Sequence, residues 1–158
     1  MISVLSVFLA KLVSVAGVVS MGLGTLFYTS AIFKGSKNVL AKQFMGLFLA
    51  DVILGLHGTM LYTYVGFALV SLMGMASVRF NATGKVVMSL ASLFVFYLIT
   101  NVGFALVNGL QIEQALIAGI PFIKDQLVGM IVASVAYSLY VYKTKNTVVE
   151  VPVGSLVY

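Results

Sequence analysis

The sequence predicts an all-α integral membrane protein, a compact bundle of five to six transmembrane helices, on three observations. Hydrophobic residues make up 61% of the 158 residues and charged ones only 8%, whereas a soluble domain carries about 25% charged residues. The mean hydropathy is +1.14. Apolar runs of about 20 residues, the length that crosses about 30 Å of hydrocarbon, follow one another with short polar breaks. A chain of this length makes one domain, residues 1–143, followed by a cytoplasmic tail over 144–158.

The spans are read where apolar residues run without interruption: 12–33, 39–56, 60–78, 86–107 and 115–142. The breaks between them, such as Lys34-Gly35-Ser36-Lys37-Asn38 and Arg79-Phe80-Asn81-Ala82-Thr83-Gly84-Lys85, have the Gly, Asn and Lys content of turns. Basic residues of short loops stay cytoplasmic. Lys34, Lys37 and Lys42 fall in the first break, Arg79 and Lys85 in the third, and Lys143 and Lys145 after the last span. The intervening turns carry His57 or Glu113 and no Lys or Arg, so the alternation places the C-terminus in the cytoplasm.

The first 33 residues leave two arrangements open. From Ile2 to Phe33 the chain would be about 48 Å long as one helix. Either one tilted helix crosses with Lys11 snorkelling to the outer interface, for five spans, or a short extra helix over 2–10 precedes the second, for six. The stretch lacks the basic start and the short apolar region of a cleaved signal peptide.

Composition excludes much chemistry. With no cysteine there is no disulfide framework, thiolate metal site or Cys nucleophile. A single His and four carboxylates scattered along the chain do not make a zinc site, which needs about three or four ligands, so no metal or cofactor is expected. The net charge of +5 comes from basic residues at the ends of apolar runs, where topology accounts for them without nucleic acid. There is no P-loop and no Gly-x-Ser-x-Gly elbow, and Gly22-x-Gly24 stands apart from any strand, so an enzyme is not expected. Asn81-Ala82-Thr83 matches the glycosylation sequon on the cytoplasmic side, where the match is a coincidence.

Polar residues inside apolar runs carry the functional reading, because a charge at bilayer depth costs at least about 2.5 to 3.5 kcal/mol. Asp51 sits toward the outer end of the second span, and Lys124, Asp125 and Gln126 interrupt the fifth just after Pro121, which predicts a kink. Asn101 shares a helical face with Tyr97, Ala105 and Asn108. In the topology above these groups, with His57 and Glu113, occupy one depth band near the outer surface. The expected site is a polar pocket there, with substrate-binding residues Asp51, His57, Tyr62, Tyr97, Asn101, Lys124 and Asp125. The competing reading makes Lys124 and Asp125 interfacial, or pairs one of them with Asp51 as a structural lock. Ala16, Ser20 and Gly24 recur at a spacing of four and form a shallow groove, read either as packing within the bundle or as a docking face for a partner protein.

Three segments resemble a known family. Asp51-Val52-Ile53-Leu54-Gly55-Leu56-His57-Gly58-Thr59-Met60 with the Tyr-rich stretch after it, Leu98-Ile99-Thr100-Asn101-Val102-Gly103-Phe104, and Ala118-Gly119-Ile120-Pro121-Phe122 followed by Gly129 occur in that order. They resemble an uncharacterised bacterial membrane family that is similar to the substrate-binding S components of energy-coupling-factor transporters. The resemblance covers roughly residues 45–140. It departs where an Asn-Phe-Thr-Pro segment would precede the second helix, and where Met130 stands in place of an Asp. It implies a six-helix protein of the bacterial plasma membrane that binds a vitamin or similar small molecule near its outer face. It also implies a transmembrane coupling subunit and ATPases as partners, with the small-residue face of the first helix as the contact. The expectation is therefore a substrate-capture subunit for uptake of a small polar solute. The alternative is a non-transporting structural or assembly subunit, whose polar residues are internal glue.

Overall fold

The computed structural model describes residues 2–15, 22–36 and 38–147. Among the described residues every regular element is a helix: α1 (Ile2–Val15), α2 (Gly22–Ile32), α3 (Val39–Leu54), α4 (Met60–Ser77), α5 (Ala82–Asn108) and α6 (Ile112–Thr147). Four of the expected runs become α3 to α6 with small changes at their ends. The first run, 12–33, falls on two described helices: it begins inside α1 and ends just beyond α2. Helix α6 also runs past residue 143 into the segment read as a tail.

The ends follow from local chemistry. Gly55 closes α3 at a φ of 103°, a conformation that L side chains rarely adopt, and its N–H donates to the Asp51 carbonyl at 2.8 Å. Gly109 ends α5 in the left-handed region, at a φ of 64°. At the start of α5 the Asn81 side chain accepts the Gly84 N–H at 2.8 Å, so the Asn of the chance sequon is a helix cap.

Contacts between helices fix their directions. Val4 lies over Gly46 and Lys11 over Asp51, so α1 runs the same way as α3. Tyr62 packs on Gly103 and Phe96 on Gly66, which makes α4 and α5 antiparallel. Asn101 meets Gly119 while Lys85 donates to the Tyr137 hydroxyl at 3.2 Å, which makes α5 and α6 antiparallel. Gly24 meets Met130 and Tyr28 lies on Tyr137 with ring centroids 5.0 Å apart, so α2 runs with α6. Helices α1, α3 and α5 thus point one way and α2, α4 and α6 the other. Lys34, Lys42, Arg79, Lys85 and Lys143 consequently gather at one end, called here the basic end.

Helices α4, α5 and α6 are long and apolar enough to cross a bilayer, which makes the chain a membrane protein. Their outward side chains, Leu61, Phe94, Phe122 and Leu139 among them, are more than half exposed. In water such a surface would drive aggregation, whereas in hydrocarbon it is solvated. Helices α1, α2 and α3 have 14, 11 and 16 residues, or about 21, 16 and 24 Å at 1.5 Å per residue, less than the hydrocarbon thickness of about 30 Å.

The shortest helix is the hub. Helix α2 touches each of the other five and buries Leu23, Leu26, Phe27 and Tyr28 in the centre of the core. Two features let it sit there. Small residues bring backbones together: a Cβ on Gly74 of α4 would collide with the Phe27 carbonyl, and one on Gly24 would lie 2.6 Å from the Ala133 Cβ of α6. Buried polar groups are also paired across the contact. Gln43 of α3, fully buried, donates to the Ser30 and Thr29 hydroxyls at 2.9 Å each and to the Leu26 carbonyl at 3.3 Å, and Ser30 donates back to the Leu26 carbonyl at 2.7 Å.

The close approach of α2 and α4 makes a prediction. Gly74→Ala forces the α2 backbone away and destabilises the bundle by about 1 to 3 kcal/mol. Gly35→Ala, where an added Cβ meets nothing within 4 Å, leaves stability unchanged. Thermal unfolding of both variants in mild detergent checks the difference.

Candidate functional site

The strongest electrostatic feature is an ion pair inside the bundle. The Asp51 carboxylate, on α3, is 3% exposed and is bound through Oδ1 by the Lys11 ammonium of α1, whose side chain is 16% exposed. The second oxygen accepts the Tyr64 hydroxyl of α4 at 2.7 Å. Three helices therefore meet at one carboxylate. Lys11 also stands 5.8 Å from the centre of the Phe67 ring, within reach of its π face. Phe44 packs edge-on against Tyr64 with centroids 5.5 Å apart, and Phe67 stacks on Phe96 at 4.9 Å, so aromatic rings wall the pair off. A carboxylate in such surroundings needs a counter-charge and hydrogen bonds for both oxygens, and here it has them.

A second polar group lies between α5 and α6. Asn101 donates to the Tyr97 carbonyl at 2.8 Å and rests on Gly119, where an added Cβ would strike its amide. The Tyr97 hydroxyl donates to the Leu116 carbonyl of α6. Between these helices is a nick of about 50 Å³ lined by Tyr97, Thr100, Asn101, Phe122 and Gln126. The Gln126 Oε1 is buried with no hydrogen-bond partner. An acceptor shut away from both water and donors is costly.

The remaining nominated residues keep different company. His57 is exposed in the turn between α3 and α4, with Nδ1 2.9 Å from the Thr59 hydroxyl. Tyr62 fills the space over Gly103 of α5. Lys124 and Asp125 are exposed on α6. Asp51 belongs to the α1, α3 and α4 junction, and Asn101 with Tyr97 to the α5 and α6 junction. Of the small-residue groove, Gly24 is buried against Gly129, Met130 and Ala133 of α6, which is packing within the bundle. Ala16 and Ser20 lie outside the described residues.

Lys11 and Gln43 are the residues that the sequence pattern undervalues. Lys11 had a signal: it stands in an apolar run of the same chain as Asp51, and opposite charges in separate apolar runs are natural partners. Gln43 had none, because beside Lys42 at the edge of a span nothing local marks it as buried. A wider cavity of about 550 Å³ opens at the basic end among Tyr28, Lys85, Tyr137 and Tyr142, at the far end of the bundle from the Asp51 and Asn101 groups.

A helical membrane bundle braced by an interior ion pair is the class of protein these features define. The chain belongs to the DUF6580 family, a family of unknown function, whose model matches residues 1–149. Comparison with curated proteins and with solved structures returned no match.

The ion pair predicts an asymmetry. Asp51→Ala or Lys11→Met alone leaves a buried charge without its partner and destabilises the bundle by about 3 to 5 kcal/mol. The pair Lys11→Met with Asp51→Leu removes both charges and recovers most of that loss. Midpoints of thermal unfolding for the two single variants and the double variant measure it.

Proposed function

We propose that the chain is a membrane-embedded substrate-binding subunit for uptake of a small polar solute or vitamin, acting with a separate ATP-driven coupling module. It would sit in the bacterial plasma membrane with its basic end and C-terminus in the cytoplasm, as the loop charges favour. The six described helices, alternating in direction, agree with the six-helix arrangement of the S components, to which the family that the three segments resemble is similar. The shorter helices fit a membrane through local thinning and flanking Lys residues.

The observation that carries this reading is the nick between α5 and α6. It lies toward the end opposite the basic one, and it presents the Asn101 amide, the Tyr97 ring and the unpartnered Gln126 Oε1 together. A donor on a solute satisfies that oxygen, and aromatic walls supply contact area. A volume of about 50 Å³ seats one polar group. Admitting a whole vitamin requires α6 to part from α5. Pro121, inside α6 and lacking a backbone N–H, lowers the cost of that movement.

One observation favours the structural or assembly subunit instead. Asp51, the most deeply buried charge, is already satisfied by Lys11 and Tyr64 and offers a ligand little. Glue of that kind suits a scaffold.

Mass spectrometry of small molecules extracted from protein purified in mild detergent separates the two. The uptake reading predicts a bound metabolite whose recovery falls about tenfold or more in the Asn101→Ala and Gln126→Ala double variant, as loss of two hydrogen bonds to a ligand implies. The variant keeps the helical content of the parent. A stoichiometric protein partner with no metabolite in the parent would support the scaffold and remove the uptake reading.

A further inference from the structure

Lys124 and Asp125 stand on α6 at a depth where hydrocarbon belongs, and among the described residues neither side chain has a hydrogen bond or ion pair. Tyr137 marks the basic end through its hydrogen bond with Lys85. From Tyr137 back to Lys124 is about 20 Å along the helix, and the hydrocarbon core is about 30 Å thick, so both charges lie about 10 Å below the far surface. The strip of α6 that packs on α2 and α5 holds Ala115, Gly119, Met130 and Ala133, all buried. Lys124 falls on the opposite, exposed strip with Ile117, Val128, Ile131 and Val135, and Asp125 borders it. Adjacent helical residues do not face each other, so the two charges do not neutralise one another within a single chain. Lys can extend its ammonium toward the headgroups, whereas the short Asp side chain has no such reach.

We infer that this face of α6 is the interface between two copies of the chain, with the two α6 helices parallel about a two-fold axis along the membrane normal. Each Lys124 meets the Asp125 of the second copy. The self-complementarity of the two charges selects a second copy as the occupant. A two-fold contact uses the same patch twice, so neighbouring charges of opposite sign are matched reciprocally. Ile117, Pro121, Lys124, Val128, Ile131 and Val135 follow the alternating spacing of four and three that forms a seam between parallel helices. A seam residue enters a hole made by four residues of the facing helix. For Lys124 that hole is Pro121, Lys124, Asp125 and Val128, which places the ammonium beside the opposite carboxylate.

The chain has no cysteine, so an introduced one is the sole thiol. In phosphatidylcholine vesicles, Val128→Cys and Ile131→Cys should each cross-link to a dimer on oxidation, whereas Leu106→Cys, on the exposed side of α5, should not. Association measured by energy transfer at graded dilution in lipid should weaken about tenfold for Lys124→Asp and for Asp125→Lys, and return to within about twofold of the parent when the two are combined. Absence of seam cross-links in the otherwise unaltered chain would overturn the inference. So would a double exchange as weak as either single one, or single exchanges that associate like the parent.

Discussion

The arrangement of this bundle depends on where one carboxylate finds its partners. Asp51 is buried in an apolar helix, and a carboxylate shut away from water needs a cation and a donor from the protein. Lys11 supplies the charge and Tyr64 the hydrogen bond. Because the three groups come from α1, α3 and α4, the contact sets the depth of α1 against α3 and the rotation of α4 about its own axis. Helix α1 has 14 residues and no long span to hold it at a fixed height. This pair, the close seat of Val4 over Gly46 and the burial of Val7 in the core fix its height.

Around that pair the protein uses two further means of association available in lipid. Glycines at the crossing points let backbones approach, as at Gly74 under Phe27 and Gly103 under Tyr62. Buried amides and hydroxyls are linked across helices, as Gln43 is to Ser30 and Thr29. Hydrophobic burial contributes little to holding helices together once they are in the membrane, since lipid tails are as apolar as the core. This explains why α2, the hub, needs both a small-residue partner on α4 and α6 and a polar partner on α3.

The sequence makes the later helices legible and the polar network only partly so. Runs of about membrane length separated by Gly, Asn and basic residues locate α3 to α6, because in lipid the hydrophobic pattern answers to thickness alone. The first 33 residues carry no such punctuation: Lys11 is their sole charge before Phe33, and its reading as a snorkelling residue gives way to an interior one. Asp51 is recognisable as costly, but which cation meets it depends on the direction of α1, and nothing local in the sequence states that direction. Lys124 and Asp125, the nearer candidates by their placement in the last span, face away from the core. The pairing of Asn101 with Tyr97 is legible from their spacing of four, and the Asn101 amide does bind the Tyr97 carbonyl. The groove at Gly24 shows the opposite case. A stripe of small residues signals close packing without naming the neighbour, and at Gly24 the neighbour is α6.

Infrared difference spectroscopy in lipid tests directly whether an ionised Asp51 held by Lys11 underlies this structure. Comparison of the parent with Asp51→Asn should reveal the loss of an ionised carboxylate band, and in Lys11→Met that band should move, because the cation bound to one of its oxygens is gone. A protonated Asp51 in the parent, or a carboxylate band that Lys11→Met leaves in place, would contradict the account.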